Sequence, residues 1–450
     1  AGSDPNARDI EKYETILSGD LAGNDVEVVY PWELLGEPTR AENSYHVVTA
    51  KDCDKTAIID GFTITGGNAN GSTSETQVGG ALYRGEPTIS RCTVVANSGS
   101  GCAIHFDDDY GGIVRDSTIS GNSSGGVESP RKVINCVIDR NHGRGVKMSG
   151  GWWDAEDIEL TDCMISSNTG GGVYFYGSSP RFVRCSFIGN EANYGAGVYA
   201  NGCESSGDCK PEFHQCLIVG NTARVWGGAV FANECLPTFI NCTVSHNRAF
   251  DRGGGFYEMW GCVSCVDCII WENYPGDDAG TSDDAYSPGS HESSEFVLAD
   301  NAYPAGGFSG PCDSIHQDPC FAEPGYWASP EDYLVCADPN DVDAIWVHGD
   351  YHLKSQGGRW DANEGGWATD AVTSPCVDAG DPAGPIGLES FPNGGIINVG
   401  AYGGTAQASR SYFGTPPCET VVAGDINGDC LIDFADFVFI ARRWLQESTP

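Results

Sequence analysis

The chain is short of positive charge. Only 24 of its 450 residues are Lys or Arg, against 63 Asp or Glu, for a net charge of −39. Such a chain repels nucleic acid and anionic membranes, which excludes both as partners. It favours solubility and divalent cations; the plainer alternative is a solvated acidic surface. Long apolar runs are also missing, since none approaches the ~20 residues that span a bilayer. No helical period links the short β-rich runs along the chain. Neither Met nor a leader precedes Ala1, so a processed or partial chain is expected.

What the chain has instead is repetition. A small or Cys residue, an apolar pair, two variable residues, an Asn, a Gly-rich stretch and a short apolar strand recur in that order. The Asn falls at Asn97, Asn122, Asn141, Asn168, Asn190, Asn221, Asn247 and Asn273, with steps of 25, 19, 27, 22, 31, 26 and 26 residues. Asn68 reads as a ninth. Five residues before each of the eight stands Cys92, Ser117, Cys136, Cys163, Cys185, Cys216, Cys242 or Cys268. This period with short β-rich runs predicts the coils of a parallel β-solenoid. The 61 Gly are expected mostly at coil corners, where positive φ is needed.

Residues 1–55 read as an N-terminal cap or first coil, 56–275 as regular coils, and 276–410 as irregular terminal coils and a cap. Fragments within the last stretch that look like strands and turns are Asp350–Leu353, Ser374–Val377 and Gly395–Gly400. Residues 411–420 read as a linker and 421–450 as a small separate module.

Coils stacked at about 4.8 Å align equivalent residues in ladders, and strand alternation sends neighbours to opposite faces. After the glycine stretch, Leu82, Ile104, Val127, Val146, Val173, Val198, Val230 and Phe256 are predicted to point inward. Tyr83, His105, Glu128, Lys147, Tyr174, Tyr199, Phe231 and Tyr257 then point outward. The Asn ladder is placed at a corner, where side-chain amides bond coil to coil.

Twenty Cys suit an oxidising, exported setting. The in-line Cys ladder is expected to hold buried thiols acting as small hydrophobes, because parallel Cβ vectors suit a bridge poorly. A metal-binding stack fits less well, since zinc wants four tetrahedral ligands. Cys203 with Cys209 is a short-range disulfide candidate, which leaves Cys235 and Cys262 to bridge adjacent coils. Cys418 and Cys430 are a further candidate pair.

Two sites could carry chemistry. On the outward ladder His105, Glu128 and Lys147 occupy successive coils, with Asp107, Asp108 and Asp109 beside them, as a sugar-cleaving site might require. Any charged ladder on a solvent face yields such trios, so the main reading assigns no catalytic residue. The aromatic strip Tyr174, Tyr199, Phe231 and Tyr257 has three readings: packing under the C-terminal region, contact with another copy, or glycan binding. Trp152, Trp153 and Trp260 lie in loops that would extend it. The second site is a twelve-residue loop. Asp425, Asn427, Asp429, Asp433 and Asp436 stand at positions 1, 3, 5, 9 and 12, and the Leu431 carbonyl at 7, which is the spacing of an EF-hand calcium loop. An amphipathic run through Phe437, Ile440, Ala441, Trp444 and Leu445 predicts a helix leaving it. Position 6 is Cys430 rather than Gly, and position 12 is Asp rather than Glu.

This loop resembles a dockerin calcium repeat. The resemblance implies Ca²⁺ on those six residues and, for paired loops, a cohesin partner; here a single loop is present. The wider chain resembles the right-handed parallel β-helix surface proteins of planctomycete-type bacteria, through Ser374-Pro-Cys-Val-Asp-Ala-Gly-Asp381 and Ile396-Ile-Asn-Val-Gly-Ala-Tyr-Gly-Gly404 ahead of a single calcium loop. That resemblance implies export and a surface or matrix location, and no particular activity.

The expectation is therefore an all-β, right-handed parallel β-helix with a small C-terminal α-helical calcium-loop module. Its expected role is non-enzymatic and structural, at a cell surface or in an extracellular matrix. Other copies of itself are the expected partners, assembling into calcium-stabilised fibres. A polysaccharide-binding or polysaccharide-degrading protein, and a client of a cohesin scaffold, are the alternatives.

Overall fold

The computed structural model describes residues 9–10, 12–107, 111–149, 158–202, 209–259, 263–274, 285–286, 301–303, 315, 317–414, 432–434 and 436–438. Three long sheets run side by side, and each coil gives one strand to each. In the coil around Asn97 these strands are Thr88–Ser90, Thr93–Val95 and Ile104–His105, and they define the first, second and third sheets. Pairing from coil to coil is parallel, without slippage, from Ile58–Asp60 to Ser264–Val266 in the first sheet.

Alternation sets the core. The first sheet turns Ile89, Val114, Val133, Leu160, Phe182, Phe213 and Phe239 inward, and the second turns Ile64, Val94, Ile119, Ile138, Ile165, Phe187, Ile218, Val244 and Ile270 inward. In the third sheet the inward column from Leu82 to Phe256 stands in register as the sequence predicts. All are essentially sealed from solvent. Phe182, Phe213 and Phe239 stack face to face at 4.5 and 4.4 Å, so ring packing reinforces the coil spacing.

The Asn ladder closes the corner between the second and third sheets. From Asn97 to Asn247, the backbone N–H and Nδ2 of each Asn both donate to Oδ1 of the Asn in the next coil, at 2.8–3.2 Å. Nδ2 also donates to a carbonyl of the preceding coil, for example from Asn168 to Ile138. Asn68 is not a ninth rung. Gly67 occupies that place, its N–H donating to Asn97 Oδ1, and Asn68 pairs one residue further on with Ser98.

Glycine does not own the corners. The left-handed residue between first and second strands is Gly61 in one coil, but Arg91, Asp116, Asn135, Asp162, Arg184, Gln215, Asn241 and Asp267 in the others. A single such residue costs on the order of 1–2 kcal/mol. Ladder bonding offsets it, and the corner projects long polar side chains outward, where Arg91 meets Asp60 and Arg184 meets Asp162.

Residues 317–414 correct the expectation of further coils. Asp350–Leu353 is a strand, but it pairs antiparallel with Phe321–Glu323, and Ser374–Val377 and Gly395–Gly400 lie in turns and bends. This segment lies along the outer face of the second sheet. The reason is written on that face: its outward residues in early coils are mostly polar, Thr118, Ser120, Asp139 and Ser166 among them, and from Ile188 on they include Leu217, Val219, Ile269 and Trp271, which pack with Phe321, Tyr351, Leu353, Cys376, Val399 and Ala401. Arg248 anchors the contact. Its guanidinium is buried, donates to the carbonyls of Pro339, Asp341 and Ala344, and lies 3.7 Å over the Trp327 ring. Gly220 (φ 64°) admits Trp346, since a Cβ there would sit 2.2 Å from the indole.

Removing one rung of the Asn ladder tests its weight. Asn168→Ala strips the acceptor from two buried donors of Asn141, at about 1–3 kcal/mol each. Urea unfolding is expected to show a loss of at least about 2 kcal/mol; a loss below about 0.5 kcal/mol would show that water replaces the rung.

Candidate functional site

The outward column of the third sheet assembles as predicted, and its chemistry can be read directly. His46, Tyr83 and His105 stack in sequence, and the column continues through Glu128 and Lys147. Glu128 is buried. One carboxylate oxygen lies 3.1 Å from His105 Nδ1, and the other takes the Lys147 ammonium. Burial opposes its ionisation, but the hydrogen bonds from His105 and Lys147 outweigh burial and hold the carboxyl down at about 2. A general acid needs a raised carboxyl and a general base a free oxygen. Glu128 has neither, and the trio forms a hydrogen-bonded ladder with an ion pair between Glu128 and Lys147. Asp107 binds the Gly85 N–H and faces Arg84; Asp108 and Asp109 lie outside the described residues.

The aromatic strip is not an open surface. Tyr174, Tyr199, Phe231 and Tyr257 follow one another in register. Three longer turns after the Asn corner form a small extra sheet (Glu191–Tyr194, Thr222–Trp226 and Arg248–Ala249) that folds over it. Trp226 stacks on Tyr257 at 4.8 Å, and Phe231 and Tyr257 are buried. Among the described residues the repeat's own insertions cover Phe231 and Tyr257, which sequence spacing alone did not place, while Tyr174 and Tyr199 stay half-buried. Trp152, Trp153 and Trp260 lie outside the described residues.

The in-line Cys ladder consists of buried free thiols. Their backbone N–H and Sγ groups touch from coil to coil, as between Cys216 N and Cys242 Sγ at 3.4 Å. The disulfide joins Cys209 to Cys235 in the next coil, not Cys209 to Cys203. Stacking brings their Cα atoms to 4.7 Å, within bridging range although the side chains start out parallel. Cys203, Cys262, Cys418 and Cys430 lie outside the described residues.

One arrangement resembles a hydrolase triad. His246 Nδ1 lies 2.6 Å from Ser245 Oγ, and His246 Nε2 lies 2.8 Å from Glu272. Ser245 is fully buried and gives its proton to the Trp271 carbonyl at 2.7 Å, so its oxygen is the acceptor here and no nucleophile.

Two open clefts were not foreseen. One, of about 590 Å³, is lined by Trp32, His142, Arg144, Tyr194, Tyr199 and Arg224. The other, of about 620 Å³, runs between the coils and residues 342–348, with Met164, Trp327 and Trp346 in its walls. They meet at Thr169 and Glu191. Arg144 lies flat on the Tyr174 ring at 3.7 Å. Trp32 comes from a 3-10 turn, Pro31–Gly36, in the N-terminal stretch, which sequence reading left irregular.

Of the calcium loop, Asp425, Asn427, Asp429 and Leu431 lie outside the described residues. Asp433 donates its N–H to Asp436 Oδ2 at 2.7 Å, and Asp436 is buried. No cluster of three ligating side chains gathers among the described residues.

The two C-terminal motifs meet at the flank. The Asp378 N–H donates to Asn398 Oδ1, the Asp381 N–H reaches Asp267, and Asn241 donates to the Asn398 carbonyl. Glu389 accepts from the N–H groups of Asn398 and Gly404 through Oε1, while its buried Oε2 has no partner among the described residues. Burial pushes Glu389 up to about 7, against those two N–H groups, and Asp378 up to about 6.

A carboxyl raised on folding holds its proton more tightly in the folded state, so stability falls as pH rises from its ordinary 4.5 towards 7. The melting-temperature gap between wild type and Glu389→Gln is expected to shift in the variant's favour over that range. Glu128 works the other way: its contribution is present above 4.5 and lost as pH falls towards 2. A pH-independent gap for Glu389→Gln between 4.5 and 7, or for Glu128→Gln below 4.5, would show that the group does not titrate differently on folding.

Residues 41–200 and 128–270 match the family model described as right handed beta helix region, and residues 326–380 match one described as disaggregatase related. No curated protein and no solved structure matches the chain. The first two matches overlap and together take in residues 41–270, more than half of the 450. With three parallel sheets wound coil upon coil, the chain belongs to the right-handed β-helix family.

Proposed function

We propose that this is a non-enzymatic structural protein of an extracellular surface or matrix, one that joins copies of itself through the strand edges of Ile16–Ser18, Val48–Thr49 and Ile58–Asp60. The observation that carries this is the pairing of those strands. Among the described residues, Ile16–Ser18, Val48–Thr49 and Ile58–Asp60 are each paired on one side only. Ile16 and Ile58 are 55% and 58% exposed. Unpaired strands with apolar side chains are templates for further pairing. At the other end of the sheets Asn301–Tyr303 and Ala285–Tyr286 pair with the last strands of the second and third sheets. A continuous fibre therefore needs a second contact. In this reading Ca²⁺ supplies it, bridging acidic surfaces and ordering the loop of Asp425, Asn427, Asp429, Leu431, Asp433 and Asp436. The inward turn of Asp436 onto the Asp433 N–H fits the closing position of such a loop. The cysteine content supports a secreted setting.

Light scattering and electron microscopy of the intact chain test both parts. Wild type is expected to form dimers or longer assemblies, and Ile16→Lys/Ile58→Lys monomers with unchanged circular dichroism. Assembly that survives the double substitution would place the contact elsewhere. Calcium is expected to bind wild type and not Asp425→Ala/Asp429→Ala. Equal calcium uptake by the two would remove the loop from the mechanism.

A further inference from the structure

The joined clefts form a groove that the assembly reading does not use. Three features of it point to one kind of ligand. The first is charge. In a chain of net charge −39, Arg144 and Arg224 face the same cleft with no described carboxylate at ion-pair distance. Elsewhere on the solenoid Arg91, Arg140 and Arg184 rest on Asp60, Asp139 and Asp162. The Arg144 guanidinium is already laid flat on Tyr174, so little side-chain freedom is lost when it binds. Guanidinium forks match carboxylate oxygens in pairs.

The second feature is the walls. Trp32 is 47% exposed and braced from behind by Tyr30, its ring parallel at 4.3 Å, and Tyr194 opposite is 38% exposed. Rigid, half-open aromatic faces suit the apolar faces of pyranose rings, with small loss of conformational freedom. The third is shape. The groove crosses several coils and is open along its length, which fits a linear chain rather than a compact small molecule. Glu191 stands where the two clefts meet, so a ligand's negative charge belongs at the arginine end and not beyond it. A dense polyanion such as nucleic acid is opposed by the charge of the chain as a whole.

We propose that this groove binds a linear oligosaccharide, with a carboxylated sugar held by Arg144 and Arg224 and stacked against Trp32, and uncharged sugars extending past Glu191 towards Trp346. The site is independent of the strand edges of the assembly reading, so either can fail alone.

The test is titration of the intact chain in EDTA, which removes calcium bridging as a route for acidic sugars. The probes are a galactose trimer with one terminal galacturonate (the galacturonate trimer below), an uncharged galactose trimer and a sulfated galactose trimer, followed by calorimetry and Trp fluorescence. The galacturonate trimer is expected to bind at least about tenfold tighter than the uncharged one, and Arg224→Ala to weaken it by about tenfold or more. Trp32→Ala is expected to weaken it and to abolish the fluorescence change. Both side chains are exposed, and circular dichroism checks that the variants fold. Equal affinity for charged and uncharged trimers, an unchanged Kd for Arg224→Ala, or no binding of the galacturonate trimer would each overturn the proposal. Tighter binding of the sulfated trimer would overturn the carboxylate assignment. Light scattering on the same samples reports assembly separately.

Discussion

A parallel solenoid holds together only if each coil knows where the next one lies, and in this chain the asparagine ladder supplies that information. Backbone pairing within a sheet tolerates slippage where side chains are small or interchangeable. An amide that accepts two hydrogen bonds from one neighbour and donates to the other does not. Because the ladder sits at a corner, it fixes the second and third sheets together. The coil can then vary from 19 to 31 residues, as the steps between Asn positions do, without losing register. The variation falls most widely in the turns between the third strand and the next first strand, and also in the turns that follow the Asn. Those turns build the extra sheet over Tyr199, Phe231 and Tyr257 and the wall that carries Tyr194 and Arg224.

The acidic excess shapes the same picture. With 24 cations for 63 acids, most cationic side chains on the coils are drawn into ladders with carboxylates, as Lys147 is by Glu128. Arg248 is the instructive exception. It binds carbonyls, and burial lowers its guanidinium to about 10. An ion pair there would have brought a second charge into the interface at a desolvation cost; peptide oxygens satisfy the guanidinium without one.

The fold was legible in the sequence because it rests on periods. The alternation of Leu82 and Tyr83, repeated at Phe256 and Tyr257, gave the inward and outward columns correctly. Asn68 stands six residues after Phe62, whereas the rung stands five after it, on Gly67, directly behind the left-handed Gly66. The trio of His105, Glu128 and Lys147 was brought together as foreseen, but its neutralising geometry depends on side-chain reach, which spacing does not encode. The groove was invisible because Trp32 and Arg144 are more than a hundred residues apart and share no repeat. The docking of the C-terminal flank left a trace that went unread: the outward positions of the second sheet turn apolar at Ile188, Leu217 and Ile269.

That docking limits how the solenoid can change length in evolution. The flank grips particular coils: Trp346 over Gly220, Arg248 on Asp341 and Ala344, Asn241 on Asn398, and Asp267 on Asp381. It acts as a ruler laid across those coils. Inserting or deleting one coil between them would move each later anchor by about 4.8 Å relative to the ruler, further than a hydrogen bond can stretch. Before Ile188 the flank makes no such grip among the described residues, and there the N-terminal stretch crosses the coils instead, with Arg40 bonding both Gly67 and Ala96. Length in this architecture is held constant beneath the flank.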